Sequence, residues 1–450
     1  MIVMKFGGTS VGSAQRIADL VEIVSTYKEQ NPIVVVSAMS GITNLLVEAS
    51  EKACLGEYNA FYKCMDEVTQ KHLQCLENLF DKNRDMLKPL NEYVLSHIKE
   101  VRNLLEGVAI LKELTPRTSD LINSFGERIS SYIVANAFIS RGIPAQHVDS
   151  RDIMVTDNAF GSARPLIGKV KEKAQEILIP ISESGKIPVM GGYIGRTTDG
   201  ITSTLGRGGS DYTASIFGLA VQAKEIQIWT DVDGILTCDP RLIPHAKVLK
   251  KVSFNEASEL AFFGAKVLHP STIKPAVENN IPVKILNSFN PKFEGTLITN
   301  ETDEAQKIKA IAFKKRVTVL SISSPKMLFG YGYMAKVFSV FERNKTSIDI
   351  VATSEVSVSM SLDSTDFLQD IISDLSEFAE VKVEKDLAII SIVGMNFSSQ
   401  SGIASTIFSA LKDVNIRMIS FGASDINFTL VIDAKELDRS VKSLHKELFG

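Results

Sequence analysis

The chain lacks the features that mark most non-enzymatic classes. Its four cysteines in 450 residues, Cys54, Cys64, Cys75 and Cys238, form no C-x-x-C pair and no metal-ligand spacing. That excludes a disulfide scaffold or a zinc module and predicts reduced thiols. No apolar run approaches the about 18 residues of a membrane span. The opening MIVMKFGGTSVG has no apolar h-region, so no secretory signal is expected and a cytoplasmic location follows. Positive charge is not in excess: 49 Lys and Arg against 53 Asp and Glu give a net charge of -4, which removes the electrostatic case for nucleic acid or an anionic membrane as partner. A Walker A loop, G-x-x-x-x-G-K-[ST], is absent.

What is present reads as a globular protein of two or three domains, with 44% apolar and 23% charged residues over a length too great for one core. The opening is a strand, glycine turn, helix and strand: apolar residues from Ile2 to Phe6, then Gly7 and Gly8, helical spacing from Ala14 to Tyr27, and the β-branched run Ile33-Val34-Val35-Val36. Four consecutive apolar β-branched residues suit a strand covered on both faces, so the spacing predicts an α/β domain with a mainly parallel sheet. Residues 45–114 carry few glycines or prolines and read as a helical insertion. Apolar runs at Ile187–Gly192, Glu225–Thr230 and Ile281–Leu286 then alternate with helices expected at 119–140, 167–183, 211–222 and 254–279, the last opened by the capping box Ser253-Phe254-Asn255-Glu256.

From about residue 305 the elements shorten and repeat at an offset of 70 residues: Gly332, Phe338, Ser339, Ser354 and Asp363 recur as Gly402, Phe408, Ser409, Ser424 and Asp433. Each copy reads β-α-β-β-α. The first gains a strand at Glu380–Val383, while the second is one strand short and leaves an edge to be covered. The strand Lys307–Phe313 is expected to cover it, which makes the first copy an insertion within the second.

Five segments could handle phosphate or a carboxylate. Lys5-Phe6-Gly7-Gly8-Thr9-Ser10 places a cation and two glycines before a helix, where backbone N–H groups can approach phosphate oxygens; a plain connecting turn is the alternative. Ser37 to Asn44 holds a second glycine turn after the neighbouring parallel strand, on the side where open α/β sheets bind ligands. In Gly206-Arg207-Gly208-Gly209-Ser210-Asp211 a guanidinium capable of clamping a carboxylate precedes a helix start, and Asp211 could equally be an N-cap. Trp229-Thr230-Asp231-Val232-Asp233-Gly234 is an acidic turn after a strand, readable as a nucleotide contact or a tight turn. Phe263 to Pro270 sets Lys266 among apolar and small residues, with His269 read as a helix-end structural residue.

In this order the segments, with N-S-F-G-E-R at 123–128 and D-P-R at 239–241, resemble the aspartokinase family over nearly the whole chain. The resemblance implies the amino-acid kinase fold, a three-layer αβα arrangement over 1–300. Two ferredoxin-like ACT modules follow, one at 316–385 and one formed by 305–315 plus 386–450. It implies transfer of the γ-phosphoryl group of ATP, with Mg²⁺ on its phosphates, to the β-carboxylate of L-aspartate. Lys5 and Lys266 would meet the phosphates, Gly7, Gly8 and Gly41 would supply backbone donors, and Asp211 would organise the lysines. Arg207 would hold a substrate carboxylate and Glu127 the substrate ammonium. Thr43, Tyr193 and Ser210 would complete the aspartate pocket, and Thr230, Asp231 and Arg241 the nucleotide side. Leu236 stands where many relatives place a tyrosine beside the nucleotide. Glu127 lies two positions from both Phe125 and Ile129, roughly opposite its helix's apolar stripe, which also fits a solvated glutamate.

In the tail, Gly330-Tyr331-Gly332-Tyr333-Met334-Ala335 matches G-x-G-x-x-A, but its first glycine is separated from the preceding strand by Ser324–Phe329, so a dinucleotide site is rejected. Asp349 and Glu355 align with Ile419 and Asp425, so only the first copy pairs two acids around its second strand, which favours a cationic effector there. The resemblance places lysine around Met327, Tyr333, Met334, Asp349, Ser354 and Glu355, with S-adenosylmethionine as a possible co-inhibitor, and implies a homodimer or dimer of dimers through the ACT modules. Glutamate, acetylglutamate and uridylate kinases lack the combined N-S-F-G-E-R and F-G-A-K-V-L-H-P segments. A sensing regulator with an inactive kinase domain is the alternative from another class.

Overall fold

The structure is a computed structural model that describes residues 1–264, 272–301 and 307–450. Lys266 and His269 lie outside the described residues. The contacts divide the chain into two units, residues 1–235 with 272–301, and residues 236–264 with 307–450.

In the first unit a parallel sheet runs in the order Ala145–His147, Ile187–Gly191, Pro32–Val36, Ile2–Phe6, Ile226–Thr230 and Val283–Asn287, with Thr296–Thr299 added antiparallel to the last. The strand Ile2–Phe6 is buried along its whole length. Because side chains alternate across a strand, Ile2, Met4 and Phe6 enter the large core formed with the helices between residues 14 and 139. Lys5 points the other way, towards the helix Gly209–Ala220, where it meets Asp211. Strand periodicity alone therefore delivers a lysine to the sheet face that carries the third glycine loop.

The expected helical insertion is three helices, Ile42–Cys54, Tyr58–Leu79 and Arg84–Leu111. The last buries Leu90, Val94, Ile98, Val101, Leu105 and Val108, a stripe at three- and four-residue steps along one face. The helix expected at 254–279 is instead Phe254–Phe262, with the capping box present, and a separate short helix Lys274–Glu278. Helical spacing had carried the reading across Phe263-Gly264, where Gly264 adopts φ +121, a conformation that ends a helix.

The second unit holds a six-stranded antiparallel sheet in the order Val351–Thr353, Ser357–Leu362, Ile308–Ser323, Glu380–Gly394, Asn427–Asp433, Ile416–Ser420. Its two central strands are long. Ile308 to Lys315 pairs with Ala388 to Gly394, and Val319 to Ser323 pairs with Glu380 to Glu384, with register shifts between. Arg316 (φ 62) and Asp386 (φ 56), residues related by the 70-residue offset, sit at the shifts in left-handed conformation, so each strand bends at the same point of the repeat. Residues 236–264 join this unit through their packing: Cys238 and Ile243 are buried with Ile390, Phe397 and Leu437, and the Ile311 N–H donates to Thr237 O at 2.8 Å.

Candidate active site

The strand order of the first unit brings three glycine turns to one end of the sheet. Around them lies a cavity of about 780 Å³, in the size range of small-ligand sites. Lys5, Gly7, Gly8, Gly41, Thr43, Glu127, Tyr193, Arg207, Ser210, Asp211, Thr230 and Asp231 all line it. Leu236 and Arg241 do not; they belong to the second unit, where the Arg241 guanidinium is bound by Asp239, with Nη2 to Oδ2 at 2.5 Å.

Lys5 Nζ lies 2.6 Å from Asp211 Oδ1, both nearly buried. An ammonium so held has one orientation and keeps donors free for a phosphate oxygen. Asp211 sits in the first turn of its helix, whose N-cap Gly208 and the preceding Arg207 face the same cavity. Arg207 is exposed at the rim and forms no ion pair among the described residues.

Glu127, which the resemblance assigns to the substrate ammonium, lines the same cavity. It is only 4% exposed, and its Oε1 accepts from the Ala38 N–H at 3.1 Å while Oε2 has no hydrogen-bond partner among the described residues. Burial pushes its carboxyl up to about 8, opposed only weakly by the backbone hydrogen bonds. A solvated surface glutamate is thereby excluded. The helix Pro116–Ile139 is covered by the hydrophobic core on one side and by the Ser37–Gly41 turn on another, which no single apolar stripe reveals. Gly126 makes the close approach possible, since a Cβ there would lie 2.8 Å from Ala38 Cβ.

Tyr193 has φ 67, rare for a bulky side chain, and its N–H is held by Thr213 Oγ1 at 3.0 Å. Burial raises its phenol, with a hydrogen bond to Thr204 acting in the opposite sense. In the acidic turn the two aspartates separate. Asp231 lines the cavity and accepts from Thr230 Oγ1 at 3.2 Å, whereas Asp233 is used by the turn itself, accepting from Asn287 Nδ2 at 2.8 Å and Asn290 Nδ2 at 3.2 Å. Asn44 and Gly161 also line the cavity and were given no role by the sequence. Asn44 ends a glycine segment already singled out, whereas nothing local marks Gly161.

In the second unit, the Asp349 side chain is 3% exposed and faces Lys314 Nζ at 3.4 Å; the same ammonium lies 2.5 Å from Asp363 and 4.0 Å from the Phe262 ring centre. Burial and then the hydrogen bond with Asp363 push the Asp349 carboxyl up to about 7. The acid brought next to Asp349 is thus Asp363, while Glu355 is exposed. Tyr333 Oη donates to Phe378 O at 3.1 Å, and Met327 and Met334 pack against the same core. A separate cavity of about 320 Å³ takes in Ser354 but none of the other five residues expected around an effector.

The amino acid kinase family matches residues 1–287, and an ACT domain matches residues 390–448. Aspartokinase 1, chloroplastic, of Arabidopsis thaliana is 39% identical over 462 residues, covering 99% of this chain and 80% of the relative. The lysine-sensitive aspartokinase 3 of Escherichia coli is 36% identical, covering 100% of this chain and 99% of the relative. Among solved structures, E. coli aspartokinase III in complex with aspartate and ADP superposes with a TM-score of 0.88 at 36% identity over 100% of both chains, and its complex with lysine and aspartate with 0.82 over the same coverage. The chain therefore belongs to the amino acid kinase family and, within it, to the aspartokinases.

Proposed function

We propose that this protein transfers the γ-phosphoryl group of ATP to the β-carboxylate of L-aspartate, giving 4-phospho-L-aspartate and ADP. The observation that carries the acceptor's identity is Glu127, a buried carboxyl on the cavity wall with one oxygen that has no hydrogen-bond partner among the described residues, in a cavity whose lining also holds Lys5, Arg207, hydroxyls and glycine turns. Such a carboxyl suits an ammonium, and the exposed Arg207 across the loop suits a carboxylate. Together they describe an amino acid.

A carboxylate oxygen attacks Pγ, the bond from Pγ to the β-phosphate bridging oxygen breaks, and no proton has to move. Catalysis then consists of bringing two anions together and neutralising charge at the transferring group. Lys5, fixed by Asp211, and the turns at Gly7, Gly8 and Gly41 serve that end, with Lys266 as a second cation by family resemblance. Thr43, Tyr193 and Ser210 complete the aspartate pocket. Mg²⁺ enters with ATP, and the oxygen donors of Thr230 and Asp231 are of the kind that such a hard cation accepts.

The second unit is read as two ACT modules, one at 316–385 and one formed by 305–315 with 386–450, and as the seat of feedback inhibition by lysine. Asp349 supports that reading as a nearly buried acid already suited to an ammonium, and an effector would reach it in competition with Lys314. The edge strands Val351–Thr353 and Ile416–Ser420, with Val356, Ile419 and Phe421 exposed beside them, suit pairing with a second copy. An ATP-dependent hydroxamate assay with L-aspartate against L-glutamate, with and without lysine, tests the activity. Absence of aspartyl hydroxamate overturns it, and activity unchanged by saturating lysine overturns the regulation.

A further inference from the structure

Asp120 lies in the first turns of the helix that carries Glu127, seven residues earlier and so on nearly the same face. It is 2% exposed and forms no ion pair among the described residues. Four hydrogen bonds hold its carboxylate. The Thr204 N–H donates to Oδ2 at 2.9 Å and the Thr204 hydroxyl to Oδ1 at 2.7 Å, while the Gly161 N–H reaches Oδ2 at 2.9 Å and Oδ1 at 3.1 Å.

The partners are a residue of the cavity lining and the strand end that leads into the Arg207 loop. Gly161 lines the cavity directly, and Thr204 ends the strand Thr202–Thr204, two residues before Gly206 and three before Arg207. Leu205 N–H donates to Tyr193 O at 2.9 Å, and Ala163 N–H to Thr204 O at 2.9 Å, so the strand end, the Tyr193 turn and the Gly161 turn form one hydrogen-bonded body.

We propose that Asp120 is a positioning residue that fixes the distance between Glu127 and the Arg207 loop. One rigid helix then carries both the group read as the ammonium receptor and the group that anchors the carboxylate-binding wall. The separation along the helix is about 10 Å, from seven residues at 1.5 Å each. The acceptor's ammonium and carboxylate are held between those two groups, which makes Asp120 a determinant of the KM for the acceptor. This rests on reading the cavity as the acceptor site.

The test is steady-state kinetics of the full chain carrying Asp120→Asn or Thr204→Val. Asparagine replaces one of the two accepting oxygens by an amide NH₂ that cannot accept from the Gly161 and Thr204 donors; valine removes one hydroxyl and keeps the shape, so it remains informative where D120N folds poorly. The expected result is a KM for aspartate raised about tenfold or more in D120N and about threefold in T204V, with KM for ATP within about twofold. A merely structural role lowers the active fraction and moves neither KM. Both KM values unchanged, or both raised together, overturns the proposal. Arg207→Ala serves as the control: if it raises KM for aspartate while D120N and T204V do not, Asp120 alone loses its role. If R207A has no effect, the acceptor-site reading falls and the proposal with it.

Discussion

Replacing Glu127 with glutamine should remove the pH dependence that this carboxyl gives to the stability of the ligand-free protein while abolishing its use of aspartate. Burial raises the Glu127 carboxyl to about 8, whereas in the unfolded chain it ionises near its ordinary value of 4.5. The native state therefore binds more protons than the unfolded state between these values, and stability falls as pH rises through that window. Below pH 4.5 the cost vanishes, and above 8 it is constant. At pH 7 it amounts to about 3 kcal/mol, from 1.36 kcal/mol per pKa unit. Glutamine keeps an acceptor for the Ala38 N–H and never ionises, although its amide leaves a buried donor that costs about 1–3 kcal/mol at every pH. The sign at pH 7 is therefore a near balance, but the slope is not. Denaturant midpoints of wild type and E127Q, measured from pH 4.5 to 8.5, should diverge in favour of the variant by about 3 kcal/mol or more over that range. Binding carries the same signature in reverse. A substrate ammonium favours the ionised carboxyl, so aspartate binding at pH 7 should release about one proton, read by calorimetry in buffers of different ionisation enthalpy. A difference between the two proteins that does not change with pH, together with binding that releases no proton, refutes the reasoning.

Lys5→Met should lower kcat about 10²- to 10³-fold with little change in KM for aspartate, because it removes charge at the transferring group and strands Asp211; a change confined to KM for aspartate refutes that placement. Lys314→Met removes the ammonium held between Asp349 and Asp363. The lysine concentration giving half-inhibition should fall about tenfold, equivalent to 1.4 kcal/mol, and an unchanged or higher concentration refutes competition at Asp349.

Much of this was legible in sequence because it is local. The alternation of Ile2, Met4 and Phe6 against Lys5, the β-branched run at 33–36 and the glycine turns each carry their own geometry. The 70-residue repeat was equally visible, since an insertion-free offset needs no structure to detect. What escaped were features that depend on a second element arriving from elsewhere. The burial of Glu127, a residue that the resemblance assigns to the substrate ammonium, is not visible in its helix's one apolar stripe, because Gly126 opens a second packed face against Ala38. Asp120 gave no signal at all: its partners lie 41 and 84 residues away. The pairing of Asp349 with Lys314 and Asp363, rather than with Glu355, likewise depends on residues 35 and 14 positions away, and the affiliation of residues 236–264 with the second unit depends on packing against Ile390, Phe397 and Leu437.

The two long strands with matching bends at Arg316 and Asp386 join the two copies twice, yet every ladder stays within one copy: Val319 to Ser323 pairs with Glu380 to Glu384, and Ile308 to Lys315 with Ala388 to Gly394. A cut at one bend would therefore part Ile308 to Lys315 from its partner strand, whereas cuts at both bends would leave the strand pairing of each copy whole. The inserted copy is bounded by its two bends, and differences such as Asp349 opposite Ile419 can accumulate in one copy without disturbing the ladders of the other.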